Sequence, residues 1–221
     1  MTPTGTLLQS LQAVDRDLFL WINGGLHRLR SEALESALSC FNQLGNAFVL
    51  LPLLTVLVAL VPGRSLPRRF LEAALPQAVL YAAILLTKGA LARARPLADL
   101  AASFSSGDAF LAFGESGRKH SLPSGHTATA FALATVVWAW AGSSPSRARR
   151  RWARSLAVLC ATLTGLARVY AGMHFPGDVI AGAILGVASA TIVLWPMGRF
   201  FPSREIVVSA PRGRLGADAS A

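Results

Sequence analysis

Residues 121–146 read SLPSGHTATAFALATVVWAWAGSSPS, a run without a single Asp, Glu, Lys or Arg. A helix needs about 20 predominantly apolar residues to cross the hydrocarbon core of a bilayer, and this run supplies them. It opens on the turn Pro123-Ser124-Gly125, with one ionisable side chain, His126, at the foot of the apolar stretch. It stops at a cluster of Arg147, Arg149, Arg150, Arg151 and Arg154. One end is compact and polar and the other strongly basic, so the run reads as a membrane span.

Its neighbours follow the same pattern. Ser155 to Ala167 leads up to Arg168, and Val179 to Gly198 is again clear of charge. On the N-terminal side, Ala73 to Thr87 lies between Glu72 and Lys88 and is long enough only if its helix continues toward Arg93. Ser36 to Gly63 is charge-free, with a span centred on Phe48 to Leu60. Leu7 to Ile22 has apolar residues on a helical period but carries Asp15, Arg16 and Asp17 in its middle, which suits an interfacial helix better than a span. The expected fold is all-α: an integral membrane helical bundle of five to six transmembrane helices with an N-terminal interfacial helix. It divides into an amphipathic segment over 1–35, a membrane domain over 36–200 and a disordered cytoplasmic tail over 201–221.

The 221 residues are 53% hydrophobic and 14% charged, which excludes a disordered chain or a coiled coil. The net charge of +10 could suggest a nucleic-acid partner. Twelve of the arginines, however, fall at 64, 68 and 69, at 147, 149, 150, 151 and 154, and at 199, 204, 212 and 214. These are loops and a tail on one side of the alternating spans, and the positive-inside rule makes that side cytoplasmic. No nucleic acid is expected. Cys40 and Cys160 lie in apolar stretches and behave as small hydrophobes. The N-terminus lacks the basic, apolar and small-residue sequence of a cleaved signal and is expected to be retained.

The opposite side holds only Lys88 to Leu122 and the short turn Gly172 to Gly177, and there three patterns fall together: Lys88-x6-Arg95-Pro96, Pro123-Ser124-Gly125-His126 and Arg168-x5-His174-x3-Asp178. Ionisable residues at a membrane edge are functional candidates by default. Lys88 and Arg95 are two helical turns apart and share a face if the helix persists to Pro96, which then forces Arg95 toward extended geometry. Arg93, on another face, reads as a headgroup anchor. Pro123 suits a first helical turn, and Ser124-Gly125 would present backbone N–H groups to an anion. His126 has a side chain suited to donating and recovering a proton near neutral pH. Arg168 precedes the breaker Gly172 and offers a planar donor fork to an oxyanion, with an ion pair to Asp178 as its structural alternative. Pro176 and Asp178 suit the start of the last helix, and Asp178 is expected to hydrogen-bond His174, fixing the imidazole's tautomer and orientation and leaving its other nitrogen free. His27 and His120, beside Arg28 and Lys119, read as solvated or headgroup-facing, and Trp138, Trp140, Trp152 and Trp195 as interfacial belt residues. Asp99, Asp108 and Glu115 are too widely spaced for a compact hard-metal site, so no metal and no cofactor is expected.

Three such motifs in this order resemble the type-2 phosphatidic acid phosphatase superfamily, which also contains the vanadium-dependent haloperoxidases. The resemblance covers Thr87 to Asp178, with one departure: Ala167 stands where the family usually has Ser, removing a hydroxyl contact. It implies a bacterial membrane hydrolase acting on a lipid phosphate or diphosphate, such as undecaprenyl diphosphate, phosphatidic acid or phosphatidylglycerol phosphate. In the implied mechanism Lys88, Arg95, Arg168 and the Ser124-Gly125 backbone hold the phosphate. His174, oriented by Asp178, forms a phosphohistidine, and His126 protonates the leaving oxygen. The implied location is the inner membrane, with the site on the periplasmic or extracellular face and undecaprenyl diphosphate the leading substrate. The alternatives are a phosphotransferase that passes the phosphate to a second lipid such as lipid A, and a non-enzymatic lipid-binding or transport protein. A haloperoxidase is disfavoured because those relatives are soluble.

Overall fold

The computed structural model describes residues 3–46, 65–113 and 117–200, together with Val49, Leu53, Leu54, Val56 and Val58. Among these residues the elements are helices, with no strand: α1 (Pro3–Arg28), α2 (Glu32–Leu44), α3 (Leu66–Leu91), α4 (Pro96–Asp99), α5 (Ala101–Ser106), α6 (Gly125–Ala141), α7 (Arg147–Tyr170) and α8 (Pro176–Phe200).

The charge-free run of residues 121–146 becomes α6, the central helix, with α3, α7 and α8 packed around it. A helix apolar on every side must be buried, and Thr127, Ala128, Ala130, Ala132, Ala134 and Val136 all are. Small residues permit the close approach. Gly182 and Gly186, one turn apart on α8, lie against the backbone at Ser124 and Ala128 with no room for a Cβ, the small-xxx-small packing of membrane helices. On α7 a Cβ at Gly165 would stand 2.7 Å from Val179 Cγ1.

Around an apolar core, large apolar side chains also lie on the surface while several charged ones are buried. Leu86 is 75% exposed, Ile184 65% and Ile192 67%, while Glu72, Arg168, His174 and Asp178 are each 2% exposed or less. Exposed apolar side chains in this number suit contact with lipid better than contact with water. The segments Leu66–Ser106 and Pro176–Gly198 are long and apolar enough to cross a membrane by length and composition. At 17 residues α6 is short, and the first turns of α7 carry five arginines, so five to six spans are not reached by that measure among the described residues. Of the expected span within Ser36 to Gly63, the described part is mainly α2, which ends at Leu44 and is capped by Gly45. Its centre at 48–60 lies mostly outside the described residues, although Leu54 and Val58 pack on Ala73, Val136 and Trp140.

The antiparallel order sorts the polar groups to two ends. At the end where α3 begins and α6 and α8 finish, Arg68 pairs with Glu72 at 2.8 Å, and Trp140 Nε1 donates to Glu72 Oε2 at 2.8 Å. Trp140 is therefore a buried donor and not a belt residue, since a buried carboxylate requires partners. Trp138, Trp152 and Trp195 are exposed, as expected. The other end gathers the end of α3, the start of α6, the end of α7 and the start of α8. The three sequence motifs lie there.

Candidate active site

The first motif is assembled by a loop, not by one helix. α3 ends at Leu91, where Ala92 takes φ +28°, so Lys88 and Arg95 do not share a helix face. Arg95 is extended, as the following proline requires. Its N–H donates to Arg118 O at 3.0 Å, while Ser121 N donates to Arg93 O at 2.9 Å. The guanidinium is steadied by Lys119 O, 3.0 Å from Nε, and by Met173 Sδ, 3.8 Å from Nη1. This pairing of 93–95 with 118–121 brings Arg95 back, so that Lys88 lies within electrostatic reach of Arg95, Arg168 and Asp178.

The second motif caps α6. Pro123 precedes the N-cap Ser124 and is not in the first turn. Ser124 N donates to Asp178 O at 3.0 Å, so this N–H serves the α6–α8 junction and is not offered to an anion, contrary to expectation. Ser124 Oγ accepts from Thr127 Oγ1 at 2.9 Å. The N–H groups of Gly125 to Thr127 are the ones that point out of the helix N-terminus, without i−4 carbonyls. His126 is half-buried in that turn, and α2 ends against it: a Cβ on Gly45 would stand 2.5 Å from His126 Cβ.

The third motif surrounds the turn between α7 and α8. Arg168, in the last turn of α7, donates from Nη1 to Asn42 Oδ1 at 2.6 Å. The chain reverses at Gly172, whose φ of +72° disfavours any residue with a Cβ. Asp178 Oδ2 accepts from Phe175 N at 2.9 Å and from Ser121 Oγ, and Oδ1 pairs with Arg93 at 2.7 Å. His174 Nδ1 stands 3.7 Å from Asp178 Oδ2 and makes no hydrogen bond. The expected hydrogen bond is thus replaced by a longer approach, because three other donors occupy the carboxylate. Burial pushes the His174 imidazole down from 6.5 to about 4, and the Arg168 and Arg95 cations act in the same direction against Asp178. The ring is neutral at pH 7, the protonation state of a nucleophile.

Several contributors were not foreseen in the sequence. Arg93 is no headgroup anchor: it bridges Asp178 and Asp15, both at 2.7 Å, and lies over the Phe175 ring at 4.3 Å. The charged centre of α1 is consumed likewise, with Arg16 pairing to Asp99 at 2.6 Å. His27 is not solvated but stacks between Phe110 and Tyr170. His120 is exposed, with Nδ1 3.0 Å from Lys88 O. Asn42 was the most legible omission, since a polar side chain inside an apolar run already signals a buried partner. Ala167 is fully buried in a cluster with Leu38 and Tyr170. Among the described residues no group of three or more His, Cys, Asp or Glu side chains is placed to hold a metal ion, and Glu115 lies outside them.

Fold and site together define a class: a helical membrane protein with three cations, two histidines and a buried aspartate drawn together at one end of its bundle. The sequence model of the PAP2 superfamily matches residues 70–201, and the chain belongs to that superfamily. The lipid A 1-phosphatase of Porphyromonas gingivalis is 37% identical over 76 residues, 34% of this chain and 16% of that protein. The lipid A 4'-phosphatase of Bacteroides thetaiotaomicron is 34% identical over 91 residues, 41% of this chain and 34% of that protein. The bacitracin transport permease protein BcrC of Bacillus licheniformis is 34% identical over 76 residues, 34% of this chain and 33% of that protein. These matches span about a third or less of each relative. The crystal structure of Aquifex aeolicus LpxE superposes with a TM-score of 0.62 at 29% identity, covering 81% of this chain and 93% of that one. A PAP2-type phosphatidylglycerolphosphate phosphatase from Bacillus subtilis superposes at 0.63 with 21% identity, covering 88% and 90%, and shows the shared fold.

Proposed function

We propose that this protein is a membrane lipid phosphatase that hydrolyses a phosphate or diphosphate headgroup through a phosphohistidine. One juxtaposition carries the reading: a neutral buried His174 beside cationic Arg168, with an apolar groove starting one helical turn below. That groove, about 350 Å³, runs between α6 and α7 past Ala130, Ala134, Ala157, Ala161 and Thr164. Its wall along α7 from Thr164 to Ala153 extends about 16 Å, close to half of the roughly 30 Å hydrocarbon thickness. A lipid phosphate offers an anion to one part and a hydrocarbon chain to the other.

In this mechanism Lys88, Arg95, Arg168 and the first N–H groups of α6 neutralise the phosphate oxygens. The Nε2 lone pair of His174 attacks phosphorus as the bond to the lipid oxygen breaks, and that oxygen takes a proton from His126. Water then attacks phosphorus, His126 accepts its proton, and the P–N bond breaks to restore His174. Asp178 steadies the imidazole, since such contacts commonly tighten only in the transition-state complex. The site faces the periplasmic or extracellular side of the inner membrane, opposite the arginine clusters.

The test is phosphate release by purified protein in detergent, using lipid A, undecaprenyl diphosphate, phosphatidic acid and phosphatidylglycerol phosphate. Two relatives are named for lipid A, which places it beside undecaprenyl diphosphate at the head of the panel. His174→Ala is expected to lose turnover while remaining folded and membrane-inserted. Substantial release by that variant would overturn the assignment.

A further inference from the structure

Beyond the residues that would touch phosphate, Arg93 joins three elements. Its Nη1 meets Asp178 Oδ1 at 2.7 Å, its Nη2 meets Asp15 Oδ2 at 2.7 Å, and the guanidinium lies over Phe175 at 4.3 Å. A guanidinium that gives one nitrogen to each of two carboxylates and is backed by a ring has little freedom. Asp15 also holds the active-site turn directly, with Gly177 N donating to its Oδ1 at 2.7 Å. That turn leaves Asp15 space only because residue 177 is glycine: a Cβ there would stand 2.8 Å from Asp15 Oδ2. A second latch, Arg16 to Asp99 at 2.6 and 2.7 Å, fixes the same stretch of α1 over the loop that carries Arg95.

The consequence falls on His174. Asp178 has two oxygens, and Arg93 takes one while Ser121 and Phe175 N take the other. How strongly the carboxylate acts on the imidazole therefore depends on how tightly Arg93 holds it. We propose that Arg93, gripped by Asp15 of the N-terminal helix, is a positioning residue that sets the Asp178–His174 contact, which makes α1 a working part of the site. Asp15 and Arg93 act from one side. The other charged groups facing the imidazole are Asp178 on α8, Arg168 on α7, and Arg95 on the loop after α3, while Lys88 at the end of α3 faces Asp178. Their charges are unchanged in the variants below.

The proposal rests on the phosphatase reading for its kinetic consequence but not for its physical one, so two measurements are paired. The first is NMR titration of the His174 imidazole in detergent-solubilised protein, which needs no turnover. In Arg93→Gln the released carboxylate favours the imidazolium, and the titration midpoint is expected to rise by about one pH unit. Asp15→Asn keeps an acceptor for Gly177 N but removes the charge that balances Arg93, so the midpoint is expected to fall. Arg93→Lys, which retains the charge, is expected to restore most of the wild-type value. Opposite responses at residues 15 and 93 are not what a loosened turn would produce. The second measurement is kinetic: Arg93→Gln should lower kcat at least tenfold with little change in KM and should move the acid limb of the rate profile in the same sense as the NMR midpoint. An unmoved His174 midpoint in folded Arg93→Gln protein, or equal shifts in both variants, would overturn the proposal. A wild-type protein that releases no phosphate would overturn the phosphatase reading instead, with the titration still deciding the role of Arg93.

Discussion

Gly45→Ala is expected to cut turnover on the order of a hundredfold while leaving the protein folded. Gly45 takes φ −86° and ψ −4°, ordinary right-handed helical geometry that alanine adopts freely, so any effect must come from space. The added Cβ would lie 2.5 Å from His126 Cβ, 2.7 Å from its Cα and 2.9 Å from Cδ2. Carbon atoms in contact prefer about 3.5–4.0 Å, so α2 and His126 must separate by roughly 1 Å. Overpacking of this kind costs about 1–3 kcal/mol, which a bundle of this size can survive. Displacing a proton donor by about 1 Å can cost on the order of a hundredfold in rate. The assay is phosphate release from the best lipid of the panel, with thermal unfolding in the same detergent. Gly198→Ala, where the new Cβ meets nothing within 4 Å, serves as the control and should match wild type. Full activity in Gly45→Ala would refute the claim that His126 is held against the end of α2 and must stay there to work.

Three further outcomes follow from the same geometry. His174 is depressed to about 4 in the folded protein, so between that value and 6.5 the unfolded chain binds the extra proton; stability should fall as pH drops from about 6.5 to about 4, by about 3 kcal/mol in all. That loss should disappear in His174→Gln, which thermal melts across the window would check. Ala157→Phe, which fills the groove between α6 and α7, should raise KM several-fold for dipalmitoyl phosphatidic acid and leave a short-chain, water-soluble analogue unaffected; equal loss on both would sever the groove from the substrate. Gly186→Leu would drive a side chain into the Ala128 carbonyl of the central helix and should cost about 3 kcal/mol or more, seen as loss of a monodisperse peak on size exclusion.

Much of the molecule was legible in the chain because hydrophobic periods and charge runs are local signals. The helical class, the central run of 121–146 and the placing of Lys88, His126, Arg168, His174 and Asp178 at one end all follow from apolar stretches alternating with arginine clusters. The turn at Gly172 and the start of α8 at Pro176 likewise follow from single residues with restricted or special backbones. Spacing alone does not place Lys88 and Arg95, whose separation of seven suits one helix face. Ala92 breaks that helix, and the loop 118–121 re-aims Arg95 instead.

Partners distant in sequence were decided only by tertiary structure. Nothing local distinguishes Arg93 from a headgroup anchor. Its role exists because α1 brings Asp15 and α8 brings Asp178 to the same guanidinium. Only packing sets Trp140 beside Glu72, and only packing brings Asp178 O to the N–H of Ser124, which local sequence would leave facing an anion. A side chain's burial, and the partner that burial then requires, are properties of the packed bundle. By itself the sequence determined which residues are the candidates for a phosphate site. The assembled helices decided which of them face one another, and hence that the nucleophile candidate is a neutral, buried imidazole whose aspartate is held by an arginine the motifs do not include.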